Sequence, residues 1–256
     1  MLGLILFFCS CFNPLTLPAN STANHLVQDR AIIQRRRIVV VRDADVAKHF
    51  PNRKTALVTY PVVSGLSPQT LRKVRALLSF KNIFDYSLAE YRSDPWLSEF
   101  SYVVNHNANS LLDITFTQSG MAAYPDEQSK HFLIDLNSGK ALIATDVFET
   151  DTLTVLATAI DEKLQREITE LRKENAGSTD RDADEKVSVN DAYDILKFES
   201  KDLDNFSVSD AGITFLYDAG FPHVIRALEP KGRYFFSYAE LRPVIKTTGP
   251  LGQFVR

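Results

Sequence analysis

The sequence predicts an α+β fold made of two half-domains that share a core, and three patterns lead to this prediction. Short apolar runs with two-residue alternation recur along the chain, as strands of antiparallel sheets require. One long segment after Thr150 repeats its apolar residues every three or four positions, which is typical of an amphipathic helix. A shorter helical pattern follows Ser67 and Pro68. We therefore expect antiparallel sheets packed against one long helix and one shorter N-terminal helix.

The composition is that of a globular protein without a nucleic-acid partner. The 256 residues are 45% hydrophobic and 11% aromatic, which is enough for one sizeable core. The formal net charge is −3, so no global field attracts phosphate. The dense basic run Gln34-Arg35-Arg36-Arg37 precedes an apolar strand. It is interpreted as the solvated beginning of that strand, with a functional patch as the alternative.

The first 23 residues are interpreted as an export signal. Residues 2–12 are almost wholly apolar, as in a signal-peptide core, whereas a membrane helix needs about 20 apolar residues. Cys9 and Cys11 both lie in this segment, so cleavage before Asn24 would leave a chain without cysteine. Cys11 also fits the acylated position of a lipoprotein signal, and lipid anchoring through Cys11 stays open. The predicted location is extracytoplasmic: periplasmic, secreted or lipid-anchored.

Behind the signal, the chain is divided by its turn and helix signals. The divisions are a lead with a first strand (24–55), an N-terminal half (56–119), a C-terminal half (120–245) and a tail (246–256). Thr150 or Asp151 is expected to cap the long helix, which extends to about Lys173. The segment 175–186 is polar and rich in Asp, so it predicts a mobile loop.

The strands are predicted between these landmarks. Two strands of a hairpin are expected between Phe100 and Phe116, separated by a polar bend from Asn105 to Asn109. Further turns are predicted at 118–120 and 137–140, and at 209–212 with Gly212 at positive φ. The remaining predicted strands are 37–41, 56–60, 130–136, 206–208, 213–217 and 234–238. The last one is so aromatic that either both of its faces are covered or one aromatic pair is exposed.

The sequence carries none of the common catalytic, nucleotide or metal-binding motifs. Its five histidines are scattered, with no pair at i,i+4 and no accompanying thiolate, so no metal site is expected. A G-x-S-x-G elbow, a G-x-G-x-x-G turn and a Walker sequence are absent. The acidic clusters lack the glycine and the downstream glutamate of a calcium loop. We therefore predict a protein that is not an enzyme and needs no cofactor.

Two polar stretches are candidate ligand sites. Side chains of the expected bend could present amide and imidazole groups to a ligand, although a polar turn that bonds its own backbone is the alternative. The other stretch is a small-residue loop that ends in a Tyr-Pro pair and is followed by a histidine. The candidate ligand-binding residues are Asn105, His106, Asn107, Tyr124, Pro125 and His131.

The motifs between Ala56 and Leu241 resemble those of the RsiV-like family, which is also called domain of unknown function 3298. This family consists of extracytoplasmic domains with a halved layout. The motifs are Tyr60-Pro61, Ala122-Ala123-Tyr124-Pro125, Asp135-Leu136-Asn137-Ser138-Gly139-Lys140, Asp146-Val147-Phe148, the pattern from Phe206 to Phe215, and Tyr238-Ala239-Glu240-Leu241. They are packing and turn motifs, so the resemblance implies a fold more than an activity. Tyr124 stands where many members have His, and recognition of lysozyme, known for one branch, is not implied here.

The sequence as a whole favours a non-catalytic binding or sensor-like module of the bacterial cell envelope, with an envelope protein or a glycan as ligand. One alternative is a cell-wall hydrolase that uses an Asp or Glu with His131 or His223. Another is a structural accessory subunit that docks through the aromatic strand near Tyr234. A pocket with a buried carboxylate beside His131 would favour the hydrolase, and a broad apolar patch at Phe235 would favour docking.

Overall fold

The structure is a computed structural model that describes residues 29–179 and 183–256. The predicted export signal and Cys11 lie outside these described residues. Within the two described ranges, every helix is too short or too polar to cross a bilayer.

The described strands form a six-stranded and a three-stranded sheet. The strands are β1 (Ile32–Val41), β2 (Thr55–Ser64), β3 (Leu97–Ala108), β4 (Leu111–Met121), β5 (Pro125–Asp135), β6 (Lys140–Ala141), β7 (Phe206–Val208), β8 (Gly212–Leu216) and β9 (Arg233–Ser237). In both sheets the spatial order follows the chain order. Strands β2 and β3 run parallel because a helical connection separates them, and the other neighbours are antiparallel. The structure therefore confirms the α+β class, with a mixed larger sheet.

The α-helices lie between the strands along the chain, except for the last one, which follows β9. They are α1 (Ala44–His49), α2 (Pro68–Leu77), α3 (Phe80–Phe84), α4 (Glu90–Ser93), α5 (Ala144–Val147), α6 (Leu153–Gly177), α7 (Ala183–Asp194) and α8 (Tyr238–Leu241). Helix α2 begins as predicted, because the Ser67 hydroxyl accepts a hydrogen bond from the Thr70 N–H at 3.2 Å and proline occupies the first turn. The predicted cap of α6 is wrong: Thr150 and Asp151 belong to the 3-10 turn Thr150–Thr152, which leads into the helix.

The buried side chains form two apolar clusters on opposite faces of β4 and β5. Leu112 and Ile134 belong to the cluster beneath α2. Their sequence neighbours Leu111 and Leu133 point the other way, into the cluster between α6 and the smaller sheet. The half-domains are therefore joined through shared strands that are covered on both sides.

Two predicted turns of the N-terminal half are wrong. Strand β3 continues to Ala108, and the chain reverses at Asn109 and Ser110, whose φ angles are 55° and 61°. A bulge between Val104 and His106 lets the polar stretch stay in the strand, because the extra residue adjusts the register. The segment 118–120 is part of β4. Gly120 is required there for close packing, since a Cβ on it would lie 2.3 Å from the carbonyl oxygen of Trp96.

The predicted loop 175–186 is helical at both ends. Helix α6 continues to Gly177, and Asn175 in its last turn is buried, with 1% exposure. Helix α7 begins at Ala183 and buries Val189 and Tyr193 in the apolar cluster between α6 and the smaller sheet. The end of α6 predicted from the sequence, at about Lys173, is too early, because the apolar periodicity stops before the helix does.

The aromatic strand β9 has one covered face. Tyr234 and Phe236 are buried, whereas Phe235 is 46% exposed and Tyr238 already belongs to α8. Both alternatives for this strand are therefore wrong, because a single ring is exposed. Gly212 does not have positive φ; a Cβ there would lie 2.1 Å from the carbonyl oxygen of Phe236, so glycine permits the close approach of β8 and β9.

Candidate functional site

A fully buried carboxylate lies where the two half-domains meet. Asp113, in the middle of β4, has 0% exposure. Its Oδ1 accepts hydrogen bonds from Asn105 Nδ2 at 2.7 Å and from His131 Nε2 at 2.8 Å. Its Oδ2 accepts from the Ser207 hydroxyl and from the Val208 N–H, both at 2.7 Å. Asp113 therefore ties β3, β5 and β7 together with four hydrogen bonds.

The register of the sheet explains this arrangement. Asp113 and Thr115 lie on the same face of β4, and Thr115 pairs directly with His131 on β5. The bulge in β3 brings the amide of Asn105 to the same place, where it also donates to the Thr115 hydroxyl at 2.9 Å. Strand β7 of the smaller sheet covers this face and supplies the other two donors.

Asp113 is held in its ionised form. Burial is the largest single influence on its pKa and acts to raise it. The hydrogen bond and charge of His131, with the hydrogen bonds of Asn105 and Ser207, outweigh burial and set the pKa of Asp113 below its ordinary value. An ionised carboxylate can only accept, so Nε2 of His131 carries a proton. The other ring nitrogen, Nδ1, makes no hydrogen bond to any described residue.

His131 lines one of the cavities that lie along the same face of β5, and we call these cavities together the β5 groove. Its floor is one face of β5, formed by Pro125, Glu127, Ser129 and His131 at every second position. Its wall is the segment 226–233. The cavity at the Pro125 end encloses about 630 Å³, and the cavity at the His131 end about 420 Å³.

The two ends of the β5 groove differ in chemistry. At the Pro125 end, Arg226 forms an ion pair with Asp126 at 2.6 Å and ties the wall to the β4–β5 hairpin. At the His131 end the lining is denser in polar groups: Ser129, Lys130, His131, Lys201, Asp202, Asp204, Asn205, Tyr217 and Asp218. Several of these carboxylates already have partners, since Asp204 accepts from the Ala144 N–H and Asp218 from the Gly220 N–H.

The arrangement supplies an oriented imidazole but no second reactive group bonded to it. In the part of the chain that the structure describes, Asp113 is the sole side chain that forms a hydrogen bond with His131. Burial raises the pKa of Tyr217, so its hydroxyl stays protonated; it donates to the Lys197 carbonyl at 3.2 Å. The described residues contain no group of three or more His, Cys, Asp or Glu that could hold a metal ion.

The six predicted ligand-binding residues are divided among different places. Pro125 and His131 line the β5 groove, and Tyr124, 64% exposed, precedes Pro125 at the hairpin tip. Asn105 lies behind His131 and reaches it through Asp113. The six residues therefore do not form one site, although three of them are in or next to the groove.

Asn107 is bonded within the protein, and His106 is largely buried. The amide of Asn107 accepts from the Ala31 N–H at 2.9 Å and donates to the Ala31 carbonyl at 2.8 Å, which fixes the chain just before β1. The side chain of His106 is 8% exposed, with Nδ1 3.8 Å from Asp210. Of the two alternatives for this stretch, Asn107 fits the one in which a polar side chain bonds to the backbone. The backbone is that of Ala31, which is distant in sequence.

Asp113, Ser207 and the groove wall were not among the residues predicted from the sequence. A signal for Asp113 was present, because it interrupts the apolar run from Leu111 to Phe116, and a charge in a buried strand requires partners. Nothing comparable marks Ser207, whose role depends on how the two sheets pack.

No protein-family model matches the sequence, and no curated protein matches it either. Among solved structures, the chain is similar to a DUF3298 family protein from Pseudomonas aeruginosa, with 12% identity and a TM-score of 0.47, over 86% of this chain and 96% of that one. It is also similar to a DUF3298 family member from Bacteroides fragilis, with 15% identity and a TM-score of 0.48, over 88% and 98% of the two chains. The chain is thus similar in structure to DUF3298 family proteins, the family whose motifs its sequence resembles.

Proposed function

We propose that the protein is a non-catalytic binding module that holds an extended ligand in the β5 groove. The observation that carries this proposal is His131, which the buried Asp113 fixes in the lining of an open groove. A group held in one orientation before a ligand arrives loses little conformational freedom on binding. His131 Nδ1 is then a ready hydrogen-bonding partner for that ligand.

The shape of the groove indicates a linear ligand. Its floor extends from Pro125 to His131, which is about 20 Å of strand. Hydroxyl, carboxylate and imidazole side chains line its His131 end beside a comparable extent of apolar surface, and apolar surface predominates at the Pro125 end. A glycan strand or an extended peptide of the cell envelope matches this length and polarity.

The proposed location is outside the cytoplasm. It rests on the apolar segment at residues 2–12, with Cys11 as the candidate for lipid attachment. A groove for envelope polymers would meet its ligand in that location.

A hydrolase is the second candidate, and the Asp113–His131 pair is the observation that favours it. A buried carboxylate that orients a histidine in a concave site is the arrangement that general-base catalysis requires. Two features weigh against this role. No nucleophile or second acid is hydrogen-bonded to His131 among the described residues, and Asp113 itself is too deeply buried to touch a substrate.

One experiment with the variant His131→Gln distinguishes a binding module from a hydrolase. The substitution keeps a hydrogen-bond donor for Asp113 and removes the imidazole. The purified protein and this variant are incubated with soluble muropeptides and with an envelope extract, while retention and product formation are followed by mass spectrometry. For a binding module, wild type retains a ligand saturably without changing it, and His131→Gln weakens retention at least tenfold.

Turnover of muropeptides that disappears in His131→Gln would establish the hydrolase and refute the binding module. His49→Gln is the matched control, since His49 is an exposed histidine on α1, far along the chain from the groove. It is expected to behave like wild type in both measurements.

A further inference from the structure

Strand β1 is the outer edge of the larger sheet. It pairs with β2 along all ten of its residues, and no other strand of the described ranges lies on its second side. In an antiparallel pair, every second residue turns its N–H and C=O away from the partner. Within the described residues, no backbone hydrogen bond satisfies these outward groups of β1. Such an edge can accept one more strand.

Three arginines mark this edge, and none of them is neutralised. Arg35, Arg36 and Arg37 are all exposed, and none forms an ion pair or a hydrogen bond with a described residue. Side chains alternate between the two faces of a strand. Positive charge therefore flanks the open edge on both faces of the sheet.

The face that carries Arg36 also offers a cavity. Arg36 lines it together with Ile38, Tyr60, Phe80 and Arg75, and it encloses about 320 Å³. Arg75 is fixed there by hydrogen bonds to the Val63 carbonyl at 3.0 and 3.3 Å. An apolar side chain of an added strand would find contact surface here, beside two guanidinium groups.

A second copy of the protein does not suit this edge. Antiparallel pairing of two β1 strands about a twofold axis would place the central arginines of one copy against those of the other, because Arg36 and Arg37 are the middle residues of β1. Like charges opposite one another destabilise a strand pair. The charge of the edge calls instead for an acidic partner.

We infer that β1 binds an extended acidic segment of another protein by strand addition. Main-chain hydrogen bonds to the open edge hold the segment, and its carboxylates pair with Arg35, Arg36 and Arg37. Three strands separate β1 from β5 in the sheet order, so this site is independent of the ligand proposed for the β5 groove.

The test uses a capped ten-residue peptide of alternating Glu and Val, with a Lys-Val peptide of equal length as the charge control. Affinity is measured at several salt concentrations, and amide hydrogen exchange is followed at residues 32–41. We expect saturable binding of the Glu-Val peptide, weaker binding at high salt, and at least tenfold slower exchange at alternate residues of β1.

The variant Arg35→Glu/Arg36→Glu/Arg37→Glu should lose at least tenfold in affinity for the Glu-Val peptide. The matched control reverses three exposed charges elsewhere, Lys140→Glu/Arg166→Glu/Arg242→Glu, and should bind as wild type does. The total charge change is the same, so a difference between the variants reports the site.

Three results would overturn the inference. Binding of the Glu-Val peptide without slower hydrogen exchange at the β1 amides would show that the peptide is held by electrostatic attraction and not by strand addition. Equal losses in both triple variants would show a response to net charge. Binding to anionic lipid vesicles with none to the peptide would assign the arginines to a membrane surface.

Discussion

Asp113 Oδ1 lies 2.8 Å from Nε2 of His131, and this contact joins the interior of the protein to the β5 groove. Asp113 is completely buried, and His131, whose side chain is 7% exposed, lines the groove. The same carboxylate accepts bonds from β3 and from β7, so one side chain both connects the half-domains and orients the imidazole. Stability and ligand binding are therefore expected to depend on the same residue.

Asp113→Asn is predicted to destabilise the fold by about 2 to 4 kcal/mol. The neutral amide weakens the four hydrogen bonds, and its NH₂ group faces buried groups that are themselves donors. The free energy of unfolding, measured by urea denaturation, tests this value. Asp210→Asn is the matched control, since its carboxylate is 91% exposed, and it should change stability by less than about 0.5 kcal/mol. Equal stability of the two variants would show that the Asp113 network contributes little.

The stability that Asp113 supplies is predicted to depend on pH. Its folded pKa lies below the ordinary value of 3.8, so the ionised form stabilises the fold at pH values above that value. As pH falls below about 4 toward the lower folded pKa, protonation removes this contribution. The difference in unfolding free energy between wild type and Asp113→Asn should shrink as the pH falls from about 4 toward 2.5. A difference that stays constant down to pH 2.5 would contradict the assignment.

Asn107→Ala should release the chain in front of β1. The variant loses two hydrogen bonds to the Ala31 backbone, with an expected cost of about 1 to 3 kcal/mol. Amide exchange at Ala31 should accelerate in the variant before the rest of β1 responds. Asn52→Ala, which removes an exposed asparagine of a 3-10 turn, serves as the control. Unchanged protection at Ala31 would mean that other contacts hold this segment.

Gly212→Ala is predicted to be among the more damaging single-methyl additions. The new Cβ would lie 2.1 Å from the Phe236 carbonyl oxygen, so β8 and β9 must separate, at a cost of roughly 3 kcal/mol. Gly220→Ala is the comparison, because its φ is +66° but no heavy atom lies within 4 Å of the added carbon. It should cost about 1 kcal/mol from backbone conformation alone. Thermal unfolding of both variants gives the ranking, and a smaller loss at Gly212 would refute the close-approach argument.

Local patterns predicted much of the fold. The Ser67 cap of α2 and the apolar repeat of α6 depend on residues a few positions apart, so both helices were foreseeable. The β3–β4 turn was misplaced because polar residues at Asn105 and Asn107 are normally turn formers. Here Asn105 bonds to Asp113, which is 8 positions away, and Asn107 bonds to Ala31, which is 76 positions away.

The candidate site was predicted only in part, for a physical reason. His131 was identified as a polar residue near a small-residue loop, and Pro125 and Tyr124 by their place in that loop. Strand register determines that Asp113 orients His131. The donors Ser207 and Val208 lie on a strand more than 90 positions from Asp113. Such contacts leave no periodic trace in the sequence.

The most direct test of the proposed function is to block the β5 groove and measure ligand retention. Ser129→Trp would fill the middle of the floor, whereas Ser101→Trp places the same ring in the same transverse row of the sheet, two strands away. Both variants and wild type are exposed to muropeptides and to an envelope extract. A groove-binding module predicts that wild type and Ser101→Trp retain a saturable ligand and that Ser129→Trp loses it. Retention of the same ligand by all three proteins would contradict binding in the groove.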